Sequence, residues 1–211
     1  MKKLTRRSLA AASGALLASG HQLLSAGAGT IQEEGNQEEV RGPVEAEFER
    51  DYDAPGFKPS WKNPQINRTM AADFVIYAHS DLDKVKMLYD REPGLLNATL
   101  DWGGGDWETA LGGASHMGRH DIVKFLLSKG ARPDLFCCTM LGMLETVKQL
   151  LTIEPELINA KGPHGFSLHF HAQVGQEAAK PVLDYLQTVK EVELRPVPFL
   201  KKKKDESQDG N

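Results

Sequence analysis

The sequence predicts an all-α fold of about four stacked helix pairs, and three observations support this. Residues 74–98 and 136–160 are identical at ten of 25 positions when they are aligned with a shift of 62. Apolar residues recur at steps of three and four, which is typical of amphipathic helices. Glycine and proline separate these stretches into short segments. Because one helix pair cannot bury its own apolar face, we expect the units to stack on one another.

The first 28 residues predict an export signal. They start with basic residues, no charged residue occurs over 8–32, and Ala26-Gly27-Ala28 fits a signal-peptidase site. The string Thr5-Arg6-Arg7-Ser8-Leu9 resembles the twin-arginine motif, which implies export of a folded chain to the periplasm or beyond. A Sec signal or an uncleaved anchor remains the alternative.

Charge and cysteine content narrow the partner classes and the type of core. The formal net charge is −4, and removal of the four basic signal residues leaves 21 basic against 29 acidic residues, or −8. This balance argues against nucleic acid or an anionic membrane as a partner of the mature chain. Cys137 and Cys138 are adjacent and cannot link distant segments. We therefore predict two buried free thiols and a core that depends on hydrophobic packing.

Four regions follow one another along the chain. Residues 29–67 are predicted to be an acidic flexible segment and an extended arm, whose Phe57, Trp61 and Ile66 need cover. Residues 68–192 hold the helices, and 193–211 form an extended or disordered charged tail. Caps and periodicity place the helix pairs at about 69–80 and 81–92, 107–116 and 120–128, 134–141 and 144–151, and 166–174 and 178–189.

The repeating apolar positions of these helices predict one continuous core. Its members are large aliphatic residues on the inner faces of the predicted helices. They are Leu82, Val85, Leu88, Leu111, Val123, Leu126, Leu127, Val147, Leu150, Leu151, Leu168, Val182, Leu183 and Leu186.

Residues 109–131, TALGGASHMGRHDIVKFLLSKGA, resemble an ankyrin repeat, and residues 165–186 match the same pattern. The resemblance covers about 70–190 and implies a helical solenoid with finger loops that binds another protein. It also implies a structural hydrogen bond from His169 to the backbone. The reference valines are spaced by 38, 24 and 35 residues, against roughly 33 in ankyrin repeats. We therefore expect irregular fingers, with a long loop at 101–106 and none between the second and third pairs.

That long loop, DWGGGD, is the strongest candidate for binding. Its glycines allow a tight hairpin or close approach of a partner, and flanking tryptophans often anchor interfaces. The predicted contact surface, on the finger side, consists of Trp102, Asp106, Trp107, His116 and His164. The alternative that both tryptophans only pack onto neighbouring units remains open.

The function predicted from these features is a non-enzymatic protein–protein interaction module of the bacterial envelope, with an unidentified partner. Nucleophile-elbow, H-E-x-x-H, C-x-x-C and phosphate-loop motifs are absent from the sequence. We therefore assign no catalytic residue, cofactor or metal. One alternative is a metal-binding protein or a metal-dependent enzyme that uses finger-side histidines and aspartates. His116, His164 and His171 are its candidates, and His79 lies at the position equivalent to His116. Another alternative is an immunity-type partner of a co-secreted enzyme.

Overall fold

The computed structural model describes residues 45–60 and 62–200, and this part of the chain is mostly helical. The predicted all-α class is therefore confirmed. The predicted export signal, Trp61 and the end of the tail from 201 lie outside the described residues. The described helices are α1 Arg68–Tyr77, α2 Leu82–Arg91, α3 Ala110–His116, α4 His120–Ser128, α5 Leu135–Met140, α6 Leu144–Ile153, α7 Leu168–Val174 and α8 Lys180–Val189.

The helices form four consecutive pairs. Each first helix packs against its own second helix, and α1, α3, α5 and α7 pack against one another in chain order. Most of the predicted core positions are buried, while Leu82, Leu127, Leu150 and Leu183 are half-buried. The predicted continuous core is instead divided into two clusters, because adjacent residues of α5 point to different sides. Cys137 belongs to the cluster that contains Phe74 and Ile122, whereas Cys138 belongs to the cluster that contains Val147 and Leu168.

The second helix and the turn after it have the same bounds in both copies of the repeated sequence. The turns of 3₁₀-helix that follow α2 and α6 span Pro93–Asn97 and Pro155–Asn159, so these turns and helices keep the offset of 62, whereas α1 and α5 end at 77 and 140. A glutamate precedes each turn and accepts a hydrogen bond from the N–H two residues later. Proline at the first position of each turn fixes φ without losing a needed donor. Identical residues at the caps thus produce identical local structure.

The DWGGGD loop closes an antiparallel hairpin of β1 Thr99–Asp101 and β2 Trp107–Thr109. Its three glycines all have positive φ, and the carboxylate of Asp101 accepts the N–H groups of Gly103 and Gly105. The prediction that helix begins at 107 is wrong. The Thr109 hydroxyl caps Gly112 at 3.0 Å, so α3 starts only at 110. Residues 129–134 connect α4 to α5 without a strand, as expected from the short spacing.

The two extended flanks differ in how they meet the helices. Ile66 packs against the first core cluster, but Phe57 is 81% exposed, so the predicted cover for the arm fails at this aromatic. The prolines at 55 and 59 favour an extended backbone in the segment around it. Val197, in the opposite flank, is buried against the first cluster. None of the described helices is long and apolar enough to cross a bilayer.

Candidate metal centre

Four side chains from four separate segments meet beside the hairpin. His79 follows α1, Glu108 is the middle residue of β2, His116 is the last residue of α3, and His164 lies in a short turn, Pro163–Gly165. One nitrogen or oxygen from each side chain lies within 4.8 Å of those from the other three. The fold therefore brings three imidazoles around one carboxylate.

The Glu108 carboxylate is the centre of this cluster, and its side chain is fully buried. Its Oε1 lies 2.9 Å from Nδ1 of His116. Its Oε2 lies 3.3 Å from Nε2 of His79 and 3.6 Å from Nε2 of His164. Despite their proximity, Glu108 Oε1 and His116 Nδ1 have no aligned hydrogen-bond partner among the described residues. Buried polar atoms without a partner are rare in proteins and often mark a site for a ligand.

Outer contacts hold two of these groups in place. The indole N–H of Trp102 donates to Glu108 Oε2 at 2.8 Å, which leaves Oε1 as the free oxygen. Nδ1 of His79 lies 3.0 Å from the carbonyl oxygen of Val75. A proton on that nitrogen donates to the carbonyl, so Nε2 keeps its lone pair toward the cluster. Metal-binding histidines commonly have such a backbone or carboxylate partner on the second nitrogen.

Asp106 makes the corresponding contact to His164. One carboxylate oxygen accepts the backbone N–H of His164, and the other lies at hydrogen-bond distance from Nδ1, both at 2.9 Å. His164 has φ of +58°, in the left-handed region that non-glycine residues rarely adopt. The two-point contact from Asp106 stabilises this conformation and directs Nε2 toward Glu108.

The cluster carries a buried negative charge. Burial raises the pKa of Glu108, but the adjacent imidazoles of His116 and His79 outweigh burial and lower the pKa to about 2. For His79, burial lowers the pKa, and the hydrogen bond and charge of Glu108 outweigh this effect and raise it. The carboxylate is therefore ionised at neutral pH, and its charge favours a cation at the centre of the imidazoles.

Aromatic contacts keep the cluster compact. The ring centroids of His79 and His116 are 4.8 Å apart, and those of His116 and His164 are 5.1 Å apart. The Trp102 ring meets the rings of His79 and His164 edge-on, at 5.6 and 5.4 Å. Packed rings of this kind restrict side-chain rotation, so the donor atoms stay close without covalent constraint.

Three imidazole nitrogens and one carboxylate oxygen form a donor set with clear metal preferences. Imidazole suits Zn²⁺, Cu²⁺, Ni²⁺ and iron, whereas Ca²⁺ and Mg²⁺ prefer oxygen ligands alone. Four protein donors also match the closed tetrahedral coordination of structural zinc, since catalytic zinc usually keeps one position for water.

The structure brings four of the five predicted contact residues into or around this cluster. His116 and His164 are members, while Trp102 and Asp106 contact members. His116 is only 3% exposed, so it faces the interior and offers no outer surface. Trp107 is 61% exposed, because neighbouring residues of a strand point to opposite faces and Glu108 points inward.

Two histidines outside the cluster have structural roles. His171, one of the candidate zinc ligands, packs beside Phe136, with Nδ1 2.9 Å from the carbonyl oxygen of Ser167. Burial lowers its pKa to about 4, so it is neutral and belongs to the core. Nε2 of His169 lies 2.9 Å from the carbonyl oxygen of Lys190, in agreement with the expected backbone hydrogen bond.

Sequence reasoning missed Glu108, the central residue of the site. One feature of the sequence indicates it: a glutamate between a tryptophan and a threonine just after a glycine turn. Alternation along a strand places such a residue on the face opposite to its neighbours. The three-residue strand was itself not predicted, so this placement could not be used. Comparison with protein-family models finds no match to this chain, and comparison with curated proteins finds no significant match.

Proposed function

We propose that this chain binds one transition-metal ion, with Zn²⁺ as the best fit, between His79, Glu108, His116 and His164. One observation carries the proposal: Glu108 Oε1 and His116 Nδ1 are buried and face each other without an aligned hydrogen bond. A cation between them would satisfy both atoms. Two further imidazole nitrogens are close enough to complete the coordination.

The site fits such an ion in size and charge. Donor atoms around tetrahedral zinc are about 3.3 Å apart, since each lies roughly 2.0 Å from the metal. The present separations reach 4.8 Å, so modest side-chain rotations bring the donors into range. One buried carboxylate offsets half of the charge of a divalent ion, and binding of the ion would displace any proton from the imidazole nitrogens that supply the remaining lone pairs.

The role we assign to the metal is structural. It would hold the β1–β2 hairpin and the Pro163–Gly165 turn on the helical stack. A surface that binds another protein would thereby keep its shape. Four protein donors support a closed site over a catalytic one.

Titration of metal-free protein with Zn²⁺, in competition with a chromophoric chelator, tests the site. We expect one ion per chain and preference over Ca²⁺ and Mg²⁺. Glu108→Gln keeps the shape of the side chain but removes its charge, and His116→Gln removes a donor. Each change is expected to weaken binding at least roughly 100-fold, because a closed site loses one of four ligands.

His120→Gln is the matched control, because His120 is an exposed histidine at the start of α4, outside the cluster. This variant should bind Zn²⁺ like the unaltered chain. The metal proposal is rejected if purified protein holds no stoichiometric metal after exposure to Zn²⁺, or if His120→Gln weakens binding as much as Glu108→Gln.

We propose in addition that the helix pairs form an ankyrin-type solenoid, exported by the twin-arginine route. The support for the solenoid is the motif at 109–131 together with the in-order packing of α1, α3, α5 and α7. The support for export is the composition and the twin-arginine-like string of the first 28 residues.

A second candidate function is binding of another protein through the finger side of the stack. The specific observation in its favour is Trp107, a large aromatic that is 61% exposed beside the glycine tip of the hairpin. Exposed tryptophans are frequent anchors of interfaces. Affinity capture from an envelope extract tests it: Trp107→Ala should lose a captured protein while retaining Zn²⁺. Capture of the same proteins by both forms would remove this surface from consideration.

A further inference from the structure

The geometry points to Asp106 as the positioning residue of the metal centre, which selects the tautomer of His164 that can coordinate a metal. This inference rests on the proposed metal site. Asp106 does not belong to the four-donor cluster. Its two oxygens instead contact the backbone N–H and Nδ1 of His164, 58 positions further along the chain.

The first step of the argument is the direction of the proton. Asp106 Oδ2 is an acceptor 2.9 Å from Nδ1, so the neutral imidazole places its proton on Nδ1. Nε2 then carries the lone pair, and Nε2 is the nitrogen that faces Glu108 at 3.6 Å. With the opposite tautomer, an N–H group would face the metal position and could not coordinate.

The second step is the cost of the backbone conformation. The backbone of His164 has φ of +58°, a left-handed conformation that is unfavourable for a residue with a Cβ. Asp106 Oδ1 accepts the N–H of this residue and so offsets the cost. The same carboxylate thereby controls where the ring is and which nitrogen it offers.

Asp106→Asn tests the effects on the tautomer and backbone of His164 without changing the shape of the side chain, because asparagine is nearly isosteric but has only one acceptor oxygen. If that oxygen accepts the backbone N–H, the amide NH₂ faces Nδ1 and drives the proton to Nε2. If the amide is reversed, two donors oppose each other at the backbone. We expect Zn²⁺ affinity to fall about 10–100-fold, the usual effect of removing an outer partner of a metal-binding histidine.

Asp101→Asn is the matched control on the same hairpin. Asp101 Oδ1 accepts the N–H groups of Gly103 and Gly105, and asparagine retains that acceptor. Its Zn²⁺ affinity should stay within about threefold of the unaltered chain. An equal loss in both variants would show that hairpin shape, and not the tautomer of His164, controls affinity, and would overturn the inference.

A double-mutant cycle with His164→Gln distinguishes an effect of Asp106 through His164 from a general structural effect of Asp106. If Asp106 acts through His164, then Asp106→Asn should cause no further loss of affinity once that histidine is gone. A full additional loss in the His164→Gln background would contradict the inference.

Nitrogen chemical shifts of the metal-free protein decide the tautomer without any metal. We expect the His164 proton on Nδ1 in the unaltered chain and on Nε2 in Asp106→Asn, with His164→Gln used for assignment. A proton on Nε2 in the unaltered chain would refute the role of Asp106. Absence of Zn²⁺ binding by a protein with the expected tautomer would instead reject the proposed metal function.

Discussion

Glu108 illustrates how much the chemistry of one residue depends on its neighbours. A glutamate at an exposed strand position would be a solvated charge, whereas here its side chain is fully buried among three imidazoles and an indole. Burial by itself would raise its pKa, and the neighbouring histidines reverse the direction. Because this pKa is lower in the folded chain than in the unfolded chain, the ionised carboxylate contributes stability at neutral pH, and that contribution is lost as the pH falls toward 2.

Gly142 is a residue at which close packing and backbone conformation act together. It has φ of +75° in the turn between α5 and α6, and a Cβ at this position would collide with the carbonyl oxygen of Ala178. We expect Gly142→Ala to lower the free energy of unfolding by about 3 kcal/mol or more, because the backbone obstacle cannot rotate away. Denaturant unfolding monitored by circular dichroism measures this.

Gly130 provides the comparison, since its φ is +93° but its missing Cβ would meet no atom within 4 Å. Gly130→Ala should therefore lower the free energy of unfolding by only about 1 kcal/mol, the cost of a left-handed backbone at a residue with a Cβ. Equal losses in the two variants would mean that the contact between Gly142 and Ala178 contributes nothing.

At the scale of elements, the sequence patterns correctly predicted the helices whose positions depend on residues close together in the chain. The periodic helices α2, α4, α6 and α8 were found near their predicted positions, and α2 and α6 have equivalent boundaries in the two copies of the repeat. The strand pair was missed, because strands of three residues are too short to show a periodic pattern. The Thr109 cap was the available indication that α3 starts later.

The site was predicted only in part for a related reason. Sequence spacing relates residues within one helix, three or four positions apart, and no such rule connects His164 to Asp106 or to Glu108. The equivalence of His79 and His116 came from the repeat, and their rings are indeed neighbours. Which carboxylate lies between them depended on the register of the hairpin, which only the folded chain determines.

At the scale of the whole molecule, metal binding should raise thermal stability. A ligand that binds only the folded state at 100 times its dissociation constant adds about 2.7 kcal/mol. For a folded region of this size we expect Zn²⁺ to raise Tm by roughly 5–10 °C, and a chelator to reverse the change. Differential scanning calorimetry with and without a chelator measures the shift.

Glu108→Gln should show no such dependence on Zn²⁺, whereas His120→Gln should retain it in full. A Tm that a chelator leaves unchanged in the unaltered, metal-exposed protein would contradict a stabilising role of the ion. A shift of equal size in Glu108→Gln would place the responsible ion somewhere else in the chain.

The span of the cluster along the chain determines how an ion there would stabilise the fold. From His79 to His164 the backbone runs through about 85 residues, including α2 to α6, before it returns to the same point. A bond across so long a loop removes entropy from the unfolded chain worth about 4.5 kcal/mol in the simplest polymer treatment. Secreted proteins commonly obtain that effect from cystine bridges, but both described cysteines here are free. An ion at this junction would link the same distant segments, and it would need no oxidant to bind and no reductant to be released.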